Sequence, residues 1–223
     1  MLVSCVMPTF NRRDFIPAAI DCFLKQTYEE KELIIVDDGE DKVRDLIPKD
    51  PRIRYIQMPM HLTTGCKRNL CNAECRGDII IHFDDDDWSD TDRIVNQGRR
   101  LLSSGKAITG YKNMLYWDVD YRKALYYKGC IDNYVVGCSL CYLKEYWLHH
   151  QFPMMQVASD GAFILQSLDQ ISASGEEGHM VARKHSLNVS NKSNLNNEIS
   201  KRLIPVDFWQ NESLRLNGSG EDK

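Results

Sequence analysis

The strand-like run Ile79-Ile-Ile-His-Phe83 leads directly into Asp84-Asp-Asp-Asp87 and Trp88. A short apolar run rich in β-branched residues predicts a strand that is buried on both faces. Four adjacent carboxylates repel one another, so a folded chain keeps them where solvent or a cation relieves the repulsion. Mg²⁺ and Mn²⁺ prefer such oxygen ligands and complete their shells with ligand phosphates. The segment therefore predicts either a metal site at a strand end or a solvated acidic turn before a helix.

Two further strand-like runs in the first half also end in polar residues. Leu2 to Met7 stops at Pro8-Thr-Phe-Asn11, and Leu33-Ile-Ile-Val36 stops at Asp37-Asp-Gly39. Between the strands, helical spacing of apolar residues predicts an α/β fold with a mostly parallel, Rossmann-like central sheet flanked by helices. Because ligands bind beyond the carboxyl ends of strands in such sheets, we expect the polar strand ends to converge, which favours the metal site. The helices are predicted over 14–26, 63–75 and 92–102, with a further strand over 53–57.

The second half of the chain is less regular. Residues 107–142 combine aromatic and β-branched residues with glycines, and they predict further strands joined by turns. We also expect a helix over 158–168 and a last strand over 180–189. The whole is predicted to be one domain over 1–205, with halves at 1–105 and 106–205. The Asn-, Ser- and Lys-rich composition near the end predicts a partly disordered tail over 206–223.

Composition excludes several classes of protein. Of the 223 residues, 43% are apolar and 27% are charged, as in an ordinary globular protein. The net charge of −4 argues against nucleic-acid binding, which needs a clustered basic excess. No apolar run is long enough to cross a bilayer, and the N-terminus lacks the pattern of a secretion signal. We therefore expect a soluble, cytoplasmic protein with no transmembrane segment, whose eight cysteines are free thiols.

Four segments carry a resemblance to a known family. They are Val3-Ser-Cys-Val-Met-Pro-Thr-Phe-Asn-Arg12, Phe23-Leu-Lys-Gln-Thr-Tyr28 with Glu32-Leu-Ile-Ile-Val-Asp-Asp-Gly39, Gly65-Cys-Lys-Arg-Asn69, and Gly77-Asp-Ile-Ile-Ile-His-Phe-Asp-Asp-Asp-Asp87. In this order and spacing they resemble the family 2 glycosyltransferases, an inverting group with the GT-A fold. The resemblance implies that 1–105 binds a nucleotide sugar and that 106–205, a smaller mixed β half, binds the acceptor. The compact size and the acidic tetrad are also similar to glycosyltransferases encoded by large algal viruses, which would place the protein in the host cytoplasm.

The resemblance implies roles at the nucleotide. Thr9 and Asp38 would bind the base, and Asp38 would accept a hydrogen bond from the uracil N–H if the donor is a UDP-sugar. Pro8, Phe10 and Asn11 would shape the same loop.

Further implied roles concern the diphosphate, the sugar and the metal. Arg68 would reach the diphosphate or the sugar, which suits its fixed fork of donors. Asp84 and Asp85 would lie by the ribose and the donor sugar, and Asp86 would bind Mn²⁺ or Mg²⁺ together with Asp84. His185 would approach the metal or the diphosphate; an ordinary surface histidine is the alternative. Asp85 stands where many members have a neutral residue, so the division of roles within the tetrad stays open.

Catalysis is expected at Asp160, in Ser159-Asp160-Gly161. From the residues alone Asp160 is a helix cap, whereas its place in the family order implies the general base that deprotonates a glycan or glycoprotein hydroxyl. One displacement would invert the anomeric configuration. Two other functions stay open: a metal-dependent nucleotidyltransferase or phosphohydrolase, and an inactive glycan-binding relative. Four aromatic residues are interpreted as an acceptor platform or as core: Tyr116, Trp117, Tyr142 and Trp147.

Overall fold

The computed structural model describes residues 1–175, 179–189, 195 and 197–218. Within these ranges the strands are β1 (Val3–Thr9), β2 (Lys31–Asp37), β3 (Ile53–Gln57), β4 (Ile79–His82), β5 (Trp88–Ser89), β6 (Ile108–Tyr111), β7 (Met114–Asp118), β8 (Lys123–Tyr127), β9 (Cys141–Leu143), β10 (Ile171–Ser174), β11 (Met180–Lys184) and β12 (Glu198–Ile199). The α-helices are α1 (Ile16–Leu24), α2 (Thr64–Glu74), α3 (Arg93–Ser104), α4 (Lys144–His149), α5 (Ser159–Leu165) and α6 (Val206–Gly218).

The large sheet has seven strands in the order β10-β6-β9-β4-β1-β2-β3. β1 pairs in parallel with both β2 and β4, β2 with β3, and β6 with β10. β9 is antiparallel to its two neighbours, β4 and β6. The mostly parallel α/β sheet predicted from the sequence is therefore confirmed.

Helices cover both faces of this sheet. Since alternate residues of a strand point to opposite sides, each central strand contributes side chains to two cores. In β1, Cys5 and Met7 belong to a core that includes Phe23 of α1, whereas Val6 belongs to a core that includes Cys71 of α2. Burial on both faces explains why the central strands are unbroken apolar runs rather than alternating ones.

A second sheet of five strands follows the order β12-β8-β7-β11-β5. β7 and β8 form an antiparallel hairpin, and β11 runs parallel to β7 and antiparallel to β5. The strands are mixed, as expected for the smaller half of the fold. Because β5 begins at Trp88, directly after the four aspartates, the acidic segment is the connection between the two sheets.

The predicted tail over 206–223 is wrong for residues 206–218, which form α6. Phe208 is fully buried and packs edge-on against Trp88 and Trp117. The helix belongs to the same core as α1, so the domain does not end at residue 205. The last part of the predicted tail, 219–223, lies outside the described residues.

Other elements differ from the predictions mainly at their ends. A 3-10 turn over Arg13–Phe15 precedes α1, and the Asp14 side chain makes no cap hydrogen bond there. The last predicted strand ends at Lys184 instead of 189, and the helix expected over 158–168 is shorter. All eight cysteines are free, as expected. Within the described ranges, no helix is both long and apolar enough to cross a membrane.

Candidate active site

The three polar strand ends converge at one edge of the large sheet, since β1, β2 and β4 run in parallel. A cleft opens beside this edge, between the strand-end loops and the second sheet. Several predicted residues line it: Pro8, Phe10, Arg68, Asp84, Asp85, Asp86 and Asp160. The loops after β1 and β4 therefore meet at this cleft, which Asp160 also lines.

Three carboxylates of the tetrad face one point. Oxygen atoms of Asp84, Asp86 and Asp87 all lie within 4.8 Å of one another. Asp84 and Asp86 were predicted as ligands, but Asp87 was not. Asp85 is directed instead toward Arg12, whose Nη1 donates to its Oδ1 over 2.7 Å. The four adjacent aspartates are therefore split into a group of three and Asp85, which lies outside that group.

The group of three has the properties of a cation site. Oδ1 of Asp84 is buried and accepts no hydrogen bond from the described part of the chain, so it can accept from a ligand or bind a cation. The pKa of Asp84 is raised to about 7, chiefly by burial; Arg68 acts in the opposite direction, and the neighbouring aspartates contribute to the rise. Clustered carboxylate oxygens of this kind fit a hard divalent cation, which would relieve the repulsion among them.

Arg12 is a member of the site that was not predicted from the sequence. Its Nη1 also donates to Asp86 Oδ2 over 2.8 Å, and its Nη2 donates to the Leu187 carbonyl over 2.8 Å. Burial raises the pKa of Asp85, and Arg12 lowers it in part. In the sequence, Arg12 was signalled by its place at the end of the first family segment, directly after the predicted loop residue Asn11.

His185 lies behind Asp86 and is not one of the three grouped ligands. Its Nε2 is 3.0 Å from Asp86 Oδ2, and its ring stacks on Phe15 with 4.4 Å between the centroids. The backbone N–H of Leu187 donates to Nδ1 over 3.2 Å, which places the ring proton on Nε2. His185 therefore donates to Asp86, and Asn188 Nδ2 donates to the same oxygen over 3.0 Å.

At the end of β2, Asp38 is buried beneath the cleft wall. Its Oδ1 accepts from Lys67 Nζ over 2.6 Å, and its Oδ2 accepts from the Leu62 N–H over 2.7 Å. His61 Nδ1 lies 2.9 Å from the same Oδ2. Lys67 also lines the cleft and lies over the ring of Phe10, at 5.4 Å from its centroid. Lys67 was not predicted, although it directly precedes the predicted Arg68.

The loop after β1 is held by the loop after β2. Asn11 adopts a positive φ of 51°, and its Oδ1 accepts from the backbone N–H groups of Glu40 and Asp41. A Cβ at Gly39 would lie 2.7 Å from Asn11 Oδ1, so only glycine allows the two loops to approach this closely. Thr9, at the end of β1, is buried beside these loops. Asn11 is thus placed to shape the loop rather than to line the cleft.

Arg68 and Asp160 approach each other across the cleft. Arg68 Nη1 donates to Ser159 Oγ over 2.8 Å and lies 3.6 Å from Asp160 Oδ1. The N-cap of α5 is Ala158, with φ 61°, and no side chain caps the helix. The interpretation of Asp160 as a helix cap is therefore wrong.

All four aromatic residues predicted as an acceptor platform or as core are buried in hydrophobic cores. Tyr142, Trp147 and Trp117 are buried in the two main cores, whereas Tyr116, buried in a third core, also lines the cleft. Burial is thus the main role of this set, and Tyr116 alone is placed beside the site.

Comparison with known proteins places this geometry in a family. Residues 4–187 match the family model described as Glycosyl transferase family 2. The chain is 29% identical over 124 residues to an uncharacterized glycosyltransferase of Haemophilus influenzae, covering 53% of this chain and 49% of that protein. The chain spans about half the length of the curated relatives it matches.

Two solved structures share the fold. TarS of S. aureus (1–349) in complex with UDP-GlcNAc has a TM-score of 0.69 at 18% identity, covering 98% of this chain and 66% of that one. The mannosyltransferase PcManGT from Pyrobaculum calidifontis, in complex with GDP-Man and Mn²⁺, has a TM-score of 0.65 at 13% identity, covering 86% and 58%. At these identities the likeness concerns the fold alone, and it confirms the predicted GT-A architecture. The chain belongs to glycosyl transferase family 2.

Proposed function

We propose that this protein transfers a sugar from a nucleotide-diphosphate donor, preferably a UDP-sugar, to a hydroxyl of a glycan or glycoprotein. The transfer inverts the anomeric configuration and uses a divalent cation, Mn²⁺ or Mg²⁺. One observation carries the proposal: the group of Asp84, Asp86 and Asp87 shares a cleft with Arg68 and Asp160. Such a displacement needs a binding site for a divalent metal ion, a positively charged side chain that binds the diphosphate, and a general base.

Donor binding is assigned to the strand-end loops. Phe10 offers an apolar ring at the cleft wall, and Lys67 fixes the buried carboxylate of Asp38 beneath it. Recognition of a uracil N–H by Asp38 stays a prediction: its side chain is fully buried, and each of its carboxylate oxygens already accepts a hydrogen bond from the protein. Thr9 and Asn11 hold the loop behind Phe10, and a complex of UDP-GlcNAc with the structurally similar TarS supports a nucleotide-sugar donor.

The proposed sugar transfer rests on the charged groups of the cleft: Asp160, Arg68 and the acidic group. Asp160 would accept the proton of the attacking hydroxyl as its oxygen bonds to the anomeric carbon and the bond to the diphosphate breaks. Arg68, with its fork of donors, would stabilise the charge that develops on the departing diphosphate. A divalent cation held by Asp84, Asp86 and Asp87 supplies further stabilisation of that charge. Asp85, bound to Arg12, would lie toward the donor sugar and ribose.

A thermal-shift panel tests the donor and metal parts of the proposal. UDP, GDP, dTDP and CDP are compared with and without Mn²⁺, because a ligand at a hundredfold excess over its Kd stabilises the fold by roughly 2.7 kcal/mol. We expect the largest shift with UDP and Mn²⁺ together. Asp86→Ala should abolish the Mn²⁺-dependent part, and Asp41→Ala, an exposed carboxylate outside the cleft, should retain it. An equal UDP shift in wild type with and without Mn²⁺, or an undiminished Mn²⁺-dependent shift in Asp86→Ala, would contradict the proposed site.

Asp160→Asn tests the catalytic part. Asparagine keeps the shape of the side chain but cannot accept the proton, and a general base contributes typically 10²–10⁴-fold to rate. We expect transfer to fall by at least about a hundredfold, with the UDP and Mn²⁺ thermal shifts retained. A variant that kept its turnover but lost donor affinity would make Asp160 a binding residue.

A further inference from the structure

One oxygen atom of the acidic group is already fully engaged by the protein. Asp86 Oδ2 accepts hydrogen bonds from Arg12 Nη1, His185 Nε2 and Asn188 Nδ2, at 2.8, 3.0 and 3.0 Å. A carboxylate oxygen offers about two lone-pair directions, so three donors saturate it. A cation that binds through this oxygen must displace at least one of them.

Arg12 is the donor whose displacement changes the charge of the site. Its guanidinium joins two carboxylates of the tetrad, those of Asp85 and Asp86, and only 13% of its side chain is exposed. Arg12 lines the cleft and also bonds to Asp85, so its release of Asp86 would leave it held at the site by Asp85. Guanidinium–carboxylate bonds in a partly buried setting are much stronger than those at the surface.

We propose that Arg12 is an internal counter-cation of the tetrad, which occupies Asp86 when no metal is bound and competes with a divalent cation for it. This role rests on the proposed metal-dependent function. It predicts that metal binding in the absence of nucleotide is weakened by the arginine, because the ion must displace a positive charge. A residue that only positions the carboxylate ligands would behave in the opposite way, because its loss would weaken metal binding.

The test measures Mn²⁺ affinity alone, by calorimetry and by electron paramagnetic resonance, with no nucleotide or acceptor. Arg12→Gln should bind Mn²⁺ at least about tenfold more tightly than wild type, and Arg12→Lys, which keeps the charge, should stay within about threefold. Arg13→Gln is the matched control, because Arg13 also joins two carboxylates, Asp41 and Asp45, but on the surface outside the cleft. Its Mn²⁺ affinity should equal that of wild type.

Folding of each variant is checked by near-ultraviolet circular dichroism. If Arg12→Gln does not fold, the competition is read in wild type by following the Arg12 Nε–H signal in a Mg²⁺ titration by nuclear magnetic resonance. The signal should shift with the same midpoint as metal binding, while that of Arg13 stays constant. A folded Arg12→Gln with equal or weaker affinity, an Arg12 signal indifferent to Mg²⁺, or no metal binding by either protein would overturn the proposal. Failure of the proposed function is recognised separately, by absence of UDP binding or of sugar transfer.

Discussion

Gly137→Ala is expected to displace the proposed base, Asp160, from its position in the cleft. Gly137 begins a 3-10 turn, and its Cα faces the side chain of Asp160. A Cβ at this position would lie 1.8 Å from Asp160 Oδ2, 2.5 Å from its Cγ and 2.7 Å from its Cβ. The new methyl group would therefore clash with Oδ2, Cγ and Cβ of Asp160.

The clash must be relieved by Asp160, because the turn itself is fixed. The Gly137 carbonyl lies 3.0 Å from Nδ1 of the buried His82, and Arg93 Nη2 donates to the carbonyl of Cys138. Ser139 Oγ accepts from the Tyr111 N–H. Reaching an ordinary contact of 3.4 Å requires a shift of about 1.6 Å at Oδ2, and misplacing a catalytic group by about 1 Å can cost about 10²-fold in rate. We therefore expect transfer to fall by about a hundredfold or more.

The assay measures UDP release from a UDP-sugar with water or a glycan as acceptor, together with UDP and Mn²⁺ binding by thermal shift. Binding should stay near the wild-type value. Gly98→Ala is the control, since nothing lies within 4 Å of a Cβ placed there. If Gly137→Ala turned over as fast as Gly98→Ala, either Asp160 is not the base or its position does not limit the reaction.

Two further predictions concern stability. The folded-state pKa of Asp84, about 7, lies above its ordinary 3.8, so the folded protein holds this proton more tightly than the unfolded chain does. The free energy of unfolding of the metal-free protein should therefore fall as pH rises from about 4 to 7. In urea unfolding, the stability of Asp84→Asn relative to wild type should increase by about 1–2 kcal/mol between pH 5 and pH 8. The full shift is not expected because Asp84 is only partly buried; a difference independent of pH would refute this reasoning. Phe208→Ala should lower the free energy of unfolding by about 3–5 kcal/mol, as for other buried aromatic residues, whereas the half-exposed Leu214→Ala should cost less than about 1 kcal/mol. A small loss for Phe208→Ala would mean that α6 is not part of the core.

The large sheet was predictable because its signals are local. Runs such as Leu33-Ile-Ile-Val36 are apolar at every position, which only burial on both faces explains, and parallel strands must bring their polar ends to one edge. The convergence of the tetrad with the β1 loop followed from this rule. The proposed role of Asp160 rests on the family resemblance, since the residues near it in the fold, Arg68 and Gly137, are distant in sequence.

The residues that were missed are joined by contacts that sequence spacing does not reveal. In the sequence, Arg12 and Lys67 look like ordinary basic residues. In the fold, Arg12 binds Asp86 and Lys67 binds Asp38. Asp87 differs from its neighbours only in the direction of its side chain, which the backbone N–H of Arg183 fixes by donating to its Oδ1 over 2.9 Å.

Helix α6, which the sequence predicted to be a tail, contacts the candidate site through Arg183. Arg183 is buried, and Glu212 and Asn211 of α6 accept from its guanidinium over 2.7 and 3.0 Å. Its Nη1 donates to the backbone carbonyl of Asp86, and the guanidinium lies 4.9 Å from the ring centroid of Phe208. A buried guanidinium is tolerated only when it is paired, so loss of α6 would leave a positive charge without its partners beneath the tetrad. The polar composition that suggested a disordered tail therefore includes residues buried as partners of the active-site loop, and composition alone cannot distinguish such partners from solvated residues.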